Sequence, residues 1–380
     1  MSQTPSTADL GKHPAAHAVS ADTASTEAAS IEAATIKAAS TETASIETTP
    51  REAASPAAAP TKHRMPAEDA VLAEIVRSGF VEGVHRGRLV LLAADGSVKL
   101  ALGDVGAPLL PRSSNKPMQA VGLLDVGLEA TREELALAAA SHAGEPFHLD
   151  GVRKILAAAG LDEAALRTPA SLPIDDDARH KHVFRGGGPL PIFSDCSGKH
   201  AAMLSASVRN GWDVEGYLDP EHPVQVAVRA AVERLAGEPI AYDAVDGCGA
   251  PLLGISLVGL ARAFRACVTA APGTNPRRVA DAMRAHPEFV AGTKQVDTRV
   301  MRGVAGLIAK TGAEAVHAAA LPNGRALAFK ISDGSKRAKP AILAEALRRL
   351  GARSEGLDRF GRVPLFGGGE VVGGVRPADW

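Results

Sequence analysis

Two hairpin patterns lie near opposite ends of residues 66–380 and enclose a long stretch with helical patterning. The early one is Asp95-Gly96, between apolar runs that end at Leu92 and begin at Val98. The late one is Pro-Asn-Gly at 322–324, between the apolar runs 315–321 and 326–331. Asp-Gly and Asn-Gly between apolar runs are typical of β-hairpins. Strands at both ends with helices between them predict an α/β protein of the α+β type, an antiparallel sheet with a helical region.

The middle of the chain supplies the helices of this prediction. Thr131 and Glu134 form a capping box at the start of one of them. A short strand is predicted at 240–245, and the segment 167–191, rich in Pro, Asp and Gly, is predicted to be a long loop. Helices are predicted at 118–128, 131–141, 149–159, 198–209, 224–236, 252–266, 276–285, 297–309 and 339–350.

The amino-terminal part of the chain differs from the rest in composition. Residues 1–62 are mostly Ala, Ser, Thr, Glu and Pro, contain no Phe, Trp or Tyr, and show near-repeats such as 28–32 and 44–47. Such a stretch has too little apolar surface to offset about 1–2 kcal/mol of backbone entropy per residue. We therefore predict that residues 1–65 form a disordered, low-complexity tail and that residues 66–380 form one catalytic domain. Ala and Glu also allow a helical tail, but the Ser and Thr content disfavours it.

Charge and hydropathy exclude several classes of function. Beyond residue 62 the chain holds 36 acidic and 38 basic residues, and only 3% of all residues are aromatic, so no nucleic-acid partner is predicted. The longest apolar stretch, 248–261, falls short of the ~18 residues that span a membrane. No secretory signal is present, so the protein is predicted to be cytoplasmic and its three cysteines to be free thiols or metal ligands.

The segment 112–117 (R-S-S-N-K-P) places a serine hydroxyl three residues before a lysine amine. If the chain is helical from Ser113, the side chains of Ser113 and Lys116 lie on one face and can meet. A serine becomes a good nucleophile when a neighbouring base takes its proton, and burial or nearby positive charge can lower the pKa of a lysine enough for this role. The pattern S-x-x-K alone is weakly specific.

Four further segments carry unusual sets of polar side chains. The first, 141–146 (S-H-A-G-E-P), fits either a reactive group or the polar end of a helix. The next two, 195–200 (D-C-S-G-K-H) and 246–249 (D-G-C-G), could hold zinc through two thiolates, or contain two buried cysteines that pack as small hydrophobic residues. A phosphate loop at 198–199 is excluded, because Phe193 and His200 stand where Gly and Ser or Thr are needed. The last, 310–312 (K-T-G), fits a second lysine or a glycine-capped helix end.

The five segments, in this order, resemble those of the rhizobial-type L-asparaginases, over about residues 75–375. The resemblance implies a serine-β-lactamase-like fold, a small-molecule substrate (L-asparagine), a Zn²⁺ cofactor and a homodimer. It also implies roles for ten residues of this chain. The catalytic residues would be Ser113, Lys116, Ser141 and Lys310, with Lys330 and Lys294 as other candidates for the second lysine. The substrate would contact Arg112, His200 and Asp246, and the metal ligands would be Cys196, Lys199 and Cys248.

The implied reaction is hydrolysis of the side-chain amide of asparagine to aspartate and ammonia. Ser113 would attack the amide carbon while Lys116, kept partly neutral by burial and by Lys310, accepts its proton. Arg112 would grip a substrate carboxylate and Asp246 the α-ammonium group. A glutaminase or another Ser/Lys amidase fits the same residues, because one methylene is worth only about 1–3 kcal/mol. A non-catalytic ligand sensor with the same pocket is the alternative from another class.

Overall fold

A computed structural model describes residues 69–380, and the predicted tail at 1–65 lies outside these residues. Within them the strands are β1 (Ala70–Arg77), β2 (Phe80–Leu92), β3 (Val98–Leu102), β4 (Pro108–Leu109), β5 (Tyr242–Val245), β6 (Pro251–Ser256), β7 (Ile308–Thr311), β8 (Val316–Ala320), β9 (Ala326–Ile331), β10 (Val363–Gly367) and β11 (Glu370–Pro377).

The helices of the same part of the chain lie mainly between the first and last strands. They are α1 (Lys116–Asp125), α2 (Arg132–Ala138), α3 (Pro146–Ala158), α4 (Asp176–Phe184), α5 (Ser197–Arg209), α6 (Pro223–Ala236), α7 (Leu257–Thr269), α8 (Asn275–Ala285), α9 (Pro287–Val290), α10 (Val296–Gly303), α11 (Lys339–Arg349) and α12 (Glu355–Phe360). Short 3₁₀ turns span Arg112–Asn115, Glu163–Ala165 and Pro191–Phe193.

One antiparallel sheet joins the two ends of the described chain. Its strand order is β10-β11-β1-β2-β9-β8-β7, and β3 also pairs with β2. All of these pairings are antiparallel, with β2 and β9 in register from Gly87–Ile331 to Leu92–Ala326. The hairpins predicted at Asp95-Gly96 and Asn323-Gly324 are confirmed as the β2–β3 and β8–β9 turns. The predicted antiparallel sheet with a helical insertion is therefore confirmed.

The core forms where helices cover this sheet. Helix α7 packs on β2, β8 and β9, and α11 packs on β1 and β11. In the helical region α1 contacts α5, α6 and α8, so its apolar residues are enclosed on several sides. Among the described residues, none of the helices combines the length and apolar character that crossing a bilayer requires.

Three predicted elements are wrong in type or extent. Residues 251–256 form β6, between β4 and β5 in a small second sheet, and α7 begins only at Leu257 with Ser256 as its N-cap. A short buried apolar run has the same composition in a strand and in a helix, so the sequence does not separate the two. Helix α10 ends at Gly303 and the chain re-enters the sheet as β7. The helix predicted to reach Ser141 ends at Ala138.

Several elements went unrecognised in the sequence, including α12, β10 and β11 near the carboxyl end. Strand β1 at Ala70–Arg77 precedes the first predicted strand. Helix α4 lies within the predicted loop 167–191, capped by Asp175, whose carboxylate accepts a hydrogen bond from the backbone N–H of Ala178. None of the residues of α4 is buried, so the helix has no apolar stripe that could reveal it.

The carboxyl end of β7 lies against the turn that precedes α1. Gly312 directly follows β7, and a Cβ atom there would lie 2.6 Å from the carbonyl oxygen of Pro111 and 3.2 Å from the backbone nitrogen of Ser114. Both neighbours are backbone atoms that cannot rotate away. This close approach therefore depends on glycine and fixes the turn at 112–115 against the edge of the sheet.

We expect Gly312→Ala to destabilise the protein by about 1–3 kcal/mol, because the added methyl group must displace backbone. Gly188→Ala is the matched control, since no atom lies within 4 Å of the added Cβ there. Its effect should stay within about 0.5 kcal/mol. The measurement is urea unfolding of both variants, and equal midpoints would contradict the close-packing argument.

Candidate active site

The two serines of the turn at Arg112–Asn115 differ in environment: one lines a cavity and the other is hydrogen-bonded within the turn. Ser114 is buried and its hydroxyl donates to the carbonyl oxygen of Pro111 at 2.6 Å. Ser113 is partly exposed and lines a cavity. Arg112, directly before it, has φ +51°, a left-handed conformation that is costly for a residue with a side chain. Such strain is concentrated at functional sites, and here it sets the direction in which Ser113 leaves the turn.

Lys116 is buried (1% exposed) at the start of α1 and acts as a hydrogen-bond donor. Its Nζ donates to the carbonyl oxygen of Ala140 at 2.6 Å, to Ser141 Oγ at 3.0 Å and, more weakly, to the carbonyl oxygen of Asp195 at 3.5 Å. Three acceptors around one amine are the environment of an ammonium group. Among the described residues Lys116 makes no hydrogen bond to Ser113, so the contact expected from the S-x-x-K spacing is replaced by one to Ser141.

The expected partly neutral state of Lys116 also differs from what the structure shows. Burial lowers the pKa of Lys116, but the acidic groups around it, Cys196, Asp195 and Cys248, outweigh burial and raise the pKa above its ordinary value. Asp195 Oδ2 lies 3.8 Å from Lys116 Nζ. Burial raises the pKa of Asp195, yet Lys116 holds it below the usual range, so the two groups form an ion pair.

The segment 141–146 separates into one group in the cavity and two structural groups. Ser141 lines the cavity with Ser113. His142 is fully buried, with Nε2 2.7 Å from Ser197 Oγ and Nδ1 accepting from the N–H of Gly144. Glu145 accepts two hydrogen bonds from Thr293. His142 and Glu145 therefore connect loops through hydrogen bonds, and of the three residues only Ser141 lines the cavity.

Lys310 lies on β7 and lines the same cavity, so the reading of 310–312 as a helix end is wrong. Its Nζ donates to the carbonyl oxygen of Thr311 at 2.8 Å and lies 3.7 Å from Asp297 Oδ2. Burial lowers the pKa of Lys310 to about 8, although Asp297 opposes the shift. The other candidates, Lys294 and Lys330, do not line this cavity; Lys294 is exposed and pairs with Asp177.

The cavity measures about 220 Å³ and is where the separate segments meet. Its wall includes Ser113, Ser141 and Lys310, together with the carboxylates Asp195 and Asp297. These residues come from the turn before α1, the loop after α2, β7, the loop before α5 and α10. The cavity thus combines two hydroxyl groups with Lys310 and Asp195, whose pKa values are shifted, as in sites of acid–base chemistry.

Cys196 and Cys248 lie side by side in a small buried cluster with Ala250, and all three cysteines of the chain are free thiols. The hydrogen bond from Cys196, with the positive charge of Lys199, lowers the pKa of Cys248 well below its ordinary value. The same hydrogen bond and burial raise the pKa of Cys196. Of the two thiols, Cys248 is therefore the one that loses its proton first.

The third predicted metal ligand is next to this thiolate. Lys199 is buried (1% exposed), and its Nζ lies 3.3 Å from Cys248 Sγ. Two ligands of one tetrahedral zinc ion lie about 3.5 Å apart, so this separation suits a shared ion. Across residues 69–380, no three His, Cys, Asp or Glu side chains gather as a metal site. A zinc site here would depend on the amine of Lys199 as its third ligand.

The three residues predicted to contact substrate do not line the cavity. Arg112 Nε donates to Asp246 Oδ1 at 2.8 Å, so these two groups pair with each other. His200 is fully buried, with Nδ1 2.8 Å from the hydroxyl oxygen of Tyr217. Its Nε2 is buried and has no hydrogen-bond partner among the described residues. Substrate contact by Arg112, His200 and Asp246 stays a prediction.

Several residues of the site were missed in the sequence. Asp195 belongs to the segment 195–200 but no role was predicted for it, and Asp297, His317 and Lys339 belong to none of the five segments. Asp297 Oδ2 accepts from the N–H of Thr311 at 2.8 Å, and Lys339 Nζ donates to Thr311 Oγ1 at 2.7 Å. No local pattern marks these residues, since they stand singly on α10, β8 and α11. The one available signal was charge at otherwise apolar positions, as in Val316-His317-Ala318.

Comparisons with individual known proteins give only distant likenesses. No curated protein matches the chain. Two similar solved structures are a β-lactamase from Mycobacterium bovis and a hydrolase with promiscuous acyltransferase activity. The first has 15% identity and a TM-score of 0.38, covering 70% of this chain and 94% of its own. The second has 12% identity and a TM-score of 0.38, covering 69% of this chain and 93% of its own. Likenesses this distant carry no argument about the chemistry.

The family comparison is much more extensive. The model of the L-asparaginase II family matches residues 73–377, which is nearly all of the described chain. This span contains all five segments and every residue of the cavity wall. The chain belongs to the L-asparaginase II family.

Proposed function

We propose that this protein is an L-asparaginase that hydrolyses the side-chain amide of L-asparagine through a serine nucleophile. The observation that carries the proposal is the shared cavity of Ser113, Ser141 and Lys310, with Lys116 hydrogen-bonded to Ser141. Family membership supports amide hydrolysis, and the hydroxyl and amine groups supply what acyl transfer requires. Ser113 is the nucleophile in this proposal because the hydroxyl of Ser114 is already used in a buried hydrogen bond.

The two lysines suit opposite proton transfers. Lys310, whose pKa of about 8 leaves a fraction neutral at physiological pH, accepts the proton of Ser113 as its oxygen attacks the amide carbon. Lys116 donates to Ser141 Oγ, which leaves the hydrogen of that hydroxyl free for the departing nitrogen. Environments that move two pKa values apart are a common means of assigning acid and base.

The atoms of the reaction balance over two steps. In the first, Ser113 Oγ bonds to the amide carbon and gives its proton to Lys310, the C–N bond breaks, and that proton passes through Ser141 to the departing ammonia, so Lys310 is neutral again. In the second, water attacks the aspartyl ester and loses a proton to Lys310, which returns it to Ser113 Oγ as the ester bond breaks. The products are aspartate and ammonia. Formation of the serine ester divides one difficult displacement into two easier steps.

Zinc is the proposed cofactor, held by Cys196, Lys199 and Cys248. The donor set supports it, because two sulfurs and a nitrogen suit zinc, and three protein ligands leave one open coordination position. Bound there, the ion would supply positive charge that compensates the thiolates. Directly after Lys199 in the chain, the hydrogen bond between His200 Nδ1 and the hydroxyl group of Tyr217 holds the His200 ring in place.

Ammonia release from L-asparagine, L-glutamine and simple aliphatic amides tests the activity and its substrate preference. Ser113→Ala should lower kcat by about 10³-fold or more while the protein stays folded, because the attacking atom is removed. Ser114→Ala is the matched control and should be milder, since Ser114 bonds only to backbone. A greater loss for Ser114→Ala would show that the wrong serine has been assigned. Absence of ammonia from every amide would contradict the proposed function.

The pKa of Lys310 predicts how activity depends on pH. The neutral amine is the active form, so kcat/KM should rise about tenfold per pH unit up to about 8 and then level off. Lys310→Arg should lose most activity, because a guanidinium stays protonated. Lys294→Arg, which changes an exposed lysine paired with Asp177, should keep the wild-type profile. A rising limb that Lys310→Arg leaves in place would contradict the role of Lys310 as base.

Metal content tests the zinc assignment. Elemental analysis of protein purified without chelator should find one zinc per chain in the wild type and much less in Cys248→Ser. Cys267→Ser is the matched control, because Cys267 is also buried but lies in α7, outside the predicted ligand set. Binding should weaken in acid, where thiolates and amine reclaim their protons. Equal zinc in Cys248→Ser and the wild type would contradict the assignment.

A further inference from the structure

The cavity has a second positively charged end, away from the motifs. Lys339 is the first residue of α11, is 2% exposed and lines the cavity wall, and the exposed Lys336 lies one turn earlier on the same wall. Within residues 69–380, the only hydrogen bond that the side chain of Lys339 makes runs from Nζ to Thr311 Oγ1 at 2.7 Å. An ammonium group has three donors, so two of them are available to a molecule in the cavity.

Thr311 fixes the position of this ammonium group. Burial lowers the pKa of His317 to about 3, so its ring is neutral. Thr311 Oγ1 lies 3.0 Å from His317 Nδ1 and also accepts from Lys339, so its own hydrogen is directed to His317. The chain of donors thus runs from Lys339 to Thr311 to His317. Lys339 is held in place by a hydroxyl group that brings no negative charge.

The buried charges on this wall are not balanced by protein alone. Burial lowers the pKa of both Lys310 and Lys339 to about 8, and one buried carboxylate, Asp297, whose Oδ2 is 3.7 Å from Lys310 Nζ, opposes both shifts. The other carboxylate of the cavity, Asp195, is paired with Lys116. A buried ammonium group without a counter-charge is costly. One anion placed in the cavity beside Lys339 would supply the missing charge.

We propose that Lys339, oriented by Thr311, binds the carboxylate of the substrate. This inference rests on the proposed function and narrows its substrate class to amides that carry a carboxylate beyond the scissile group. It also moves the carboxylate from Arg112, whose guanidinium is paired with Asp246 outside the cavity wall, to the end of the cavity formed by β7 and α11. Lys336, at the rim of the cavity, attracts the same carboxylate more weakly because it is exposed to solvent.

Steady-state kinetics with two amides test the assignment. L-Asparagine and L-asparaginamide share the side-chain amide and the ammonium group, but only the first has a carboxylate. Lys339→Met should raise KM for L-asparagine about tenfold to a hundredfold, the range for one lost charged hydrogen bond. Its kcat should change little, because binding of this kind is uniform along the reaction. KM for L-asparaginamide should change less than about twofold.

Two further variants serve as controls, one with a small expected effect on KM and one with none. Lys336→Met should raise KM for L-asparagine only about twofold to threefold, because an exposed charge is screened by solvent. Lys154→Met, an exposed lysine on α3 away from the cavity, should leave both substrates unchanged. Equal KM increases for the two amides in Lys339→Met, or a larger effect in Arg112→Met confined to L-asparagine, would overturn the proposal.

Binding of succinate separates this inference from the proposed function. Succinate carries carboxylates but no amide, so calorimetric titration reports the subsite without turnover. Folded Lys339→Met protein, checked by thermal melting, should bind succinate about tenfold or more weakly than the wild type. If Lys339→Met does not fold, Lys336→Met decides, and unchanged succinate affinity there would overturn the proposal. A wild type that binds succinate through Lys339 but hydrolyses no amide would contradict the proposed function and leave the subsite standing.

Discussion

Compensation of buried positive charge is the constraint on which the site depends. Four lysines, Lys116, Lys199, Lys310 and Lys339, are each 2% exposed or less. Burying an ammonium group costs several kcal/mol unless an anion lies nearby or the group loses its proton. The nearby acidic group is Asp195 for Lys116, Asp297 for Lys310 and the Cys248 thiolate for Lys199. The anions come from loops and helices far apart in sequence, so the charges bind the helical region to the sheet edge.

This constraint also explains why the two lysines of the proposed reaction differ. Lys116 has three hydrogen-bond acceptors and three neighbouring acidic groups, and it stays an ammonium group. Lys310 is buried as deeply but has one hydrogen-bond acceptor and one carboxylate within ion-pair distance, Asp297, and its pKa falls to about 8. The same residue type thus takes opposite proton-transfer roles, because the fold gives each a different number of anions.

The sequence predicted the architecture wherever the pattern was local. Asp95-Gly96 and Asn323-Gly324 identified two hairpins, and the Thr131–Glu134 capping box identified α2, since turns and caps are set by a few adjacent residues. The strand β6 was taken for part of a helix, because a buried apolar run carries no period that separates the two. Helix α4 has no buried residue and therefore no apolar stripe.

The site, like the fold, was predictable only where its residues belong to a local sequence pattern. Ser113, Ser141 and Lys310 belong to recognisable segments, and the structure brings them to one cavity. The partner of Lys116 was not predictable, because Ser141 and Ser113 are both within reach in three dimensions and only the fold decides between them. Asp297, His317 and Lys339 come singly from three elements, so their association is a property of tertiary packing alone.

The position of the cavity has a consequence for the behaviour of the sheet itself. The two outer strands of the large sheet are β10 and β7. Outer strands present unpaired backbone groups that can recruit strands from other molecules. In β10, Pro364 lacks one of the N–H groups that such recruitment uses. Beyond the end of β7, the turn at 112–115 lies against Gly312. The turn that presents Ser113 therefore also occupies the space next to the end of this outer strand.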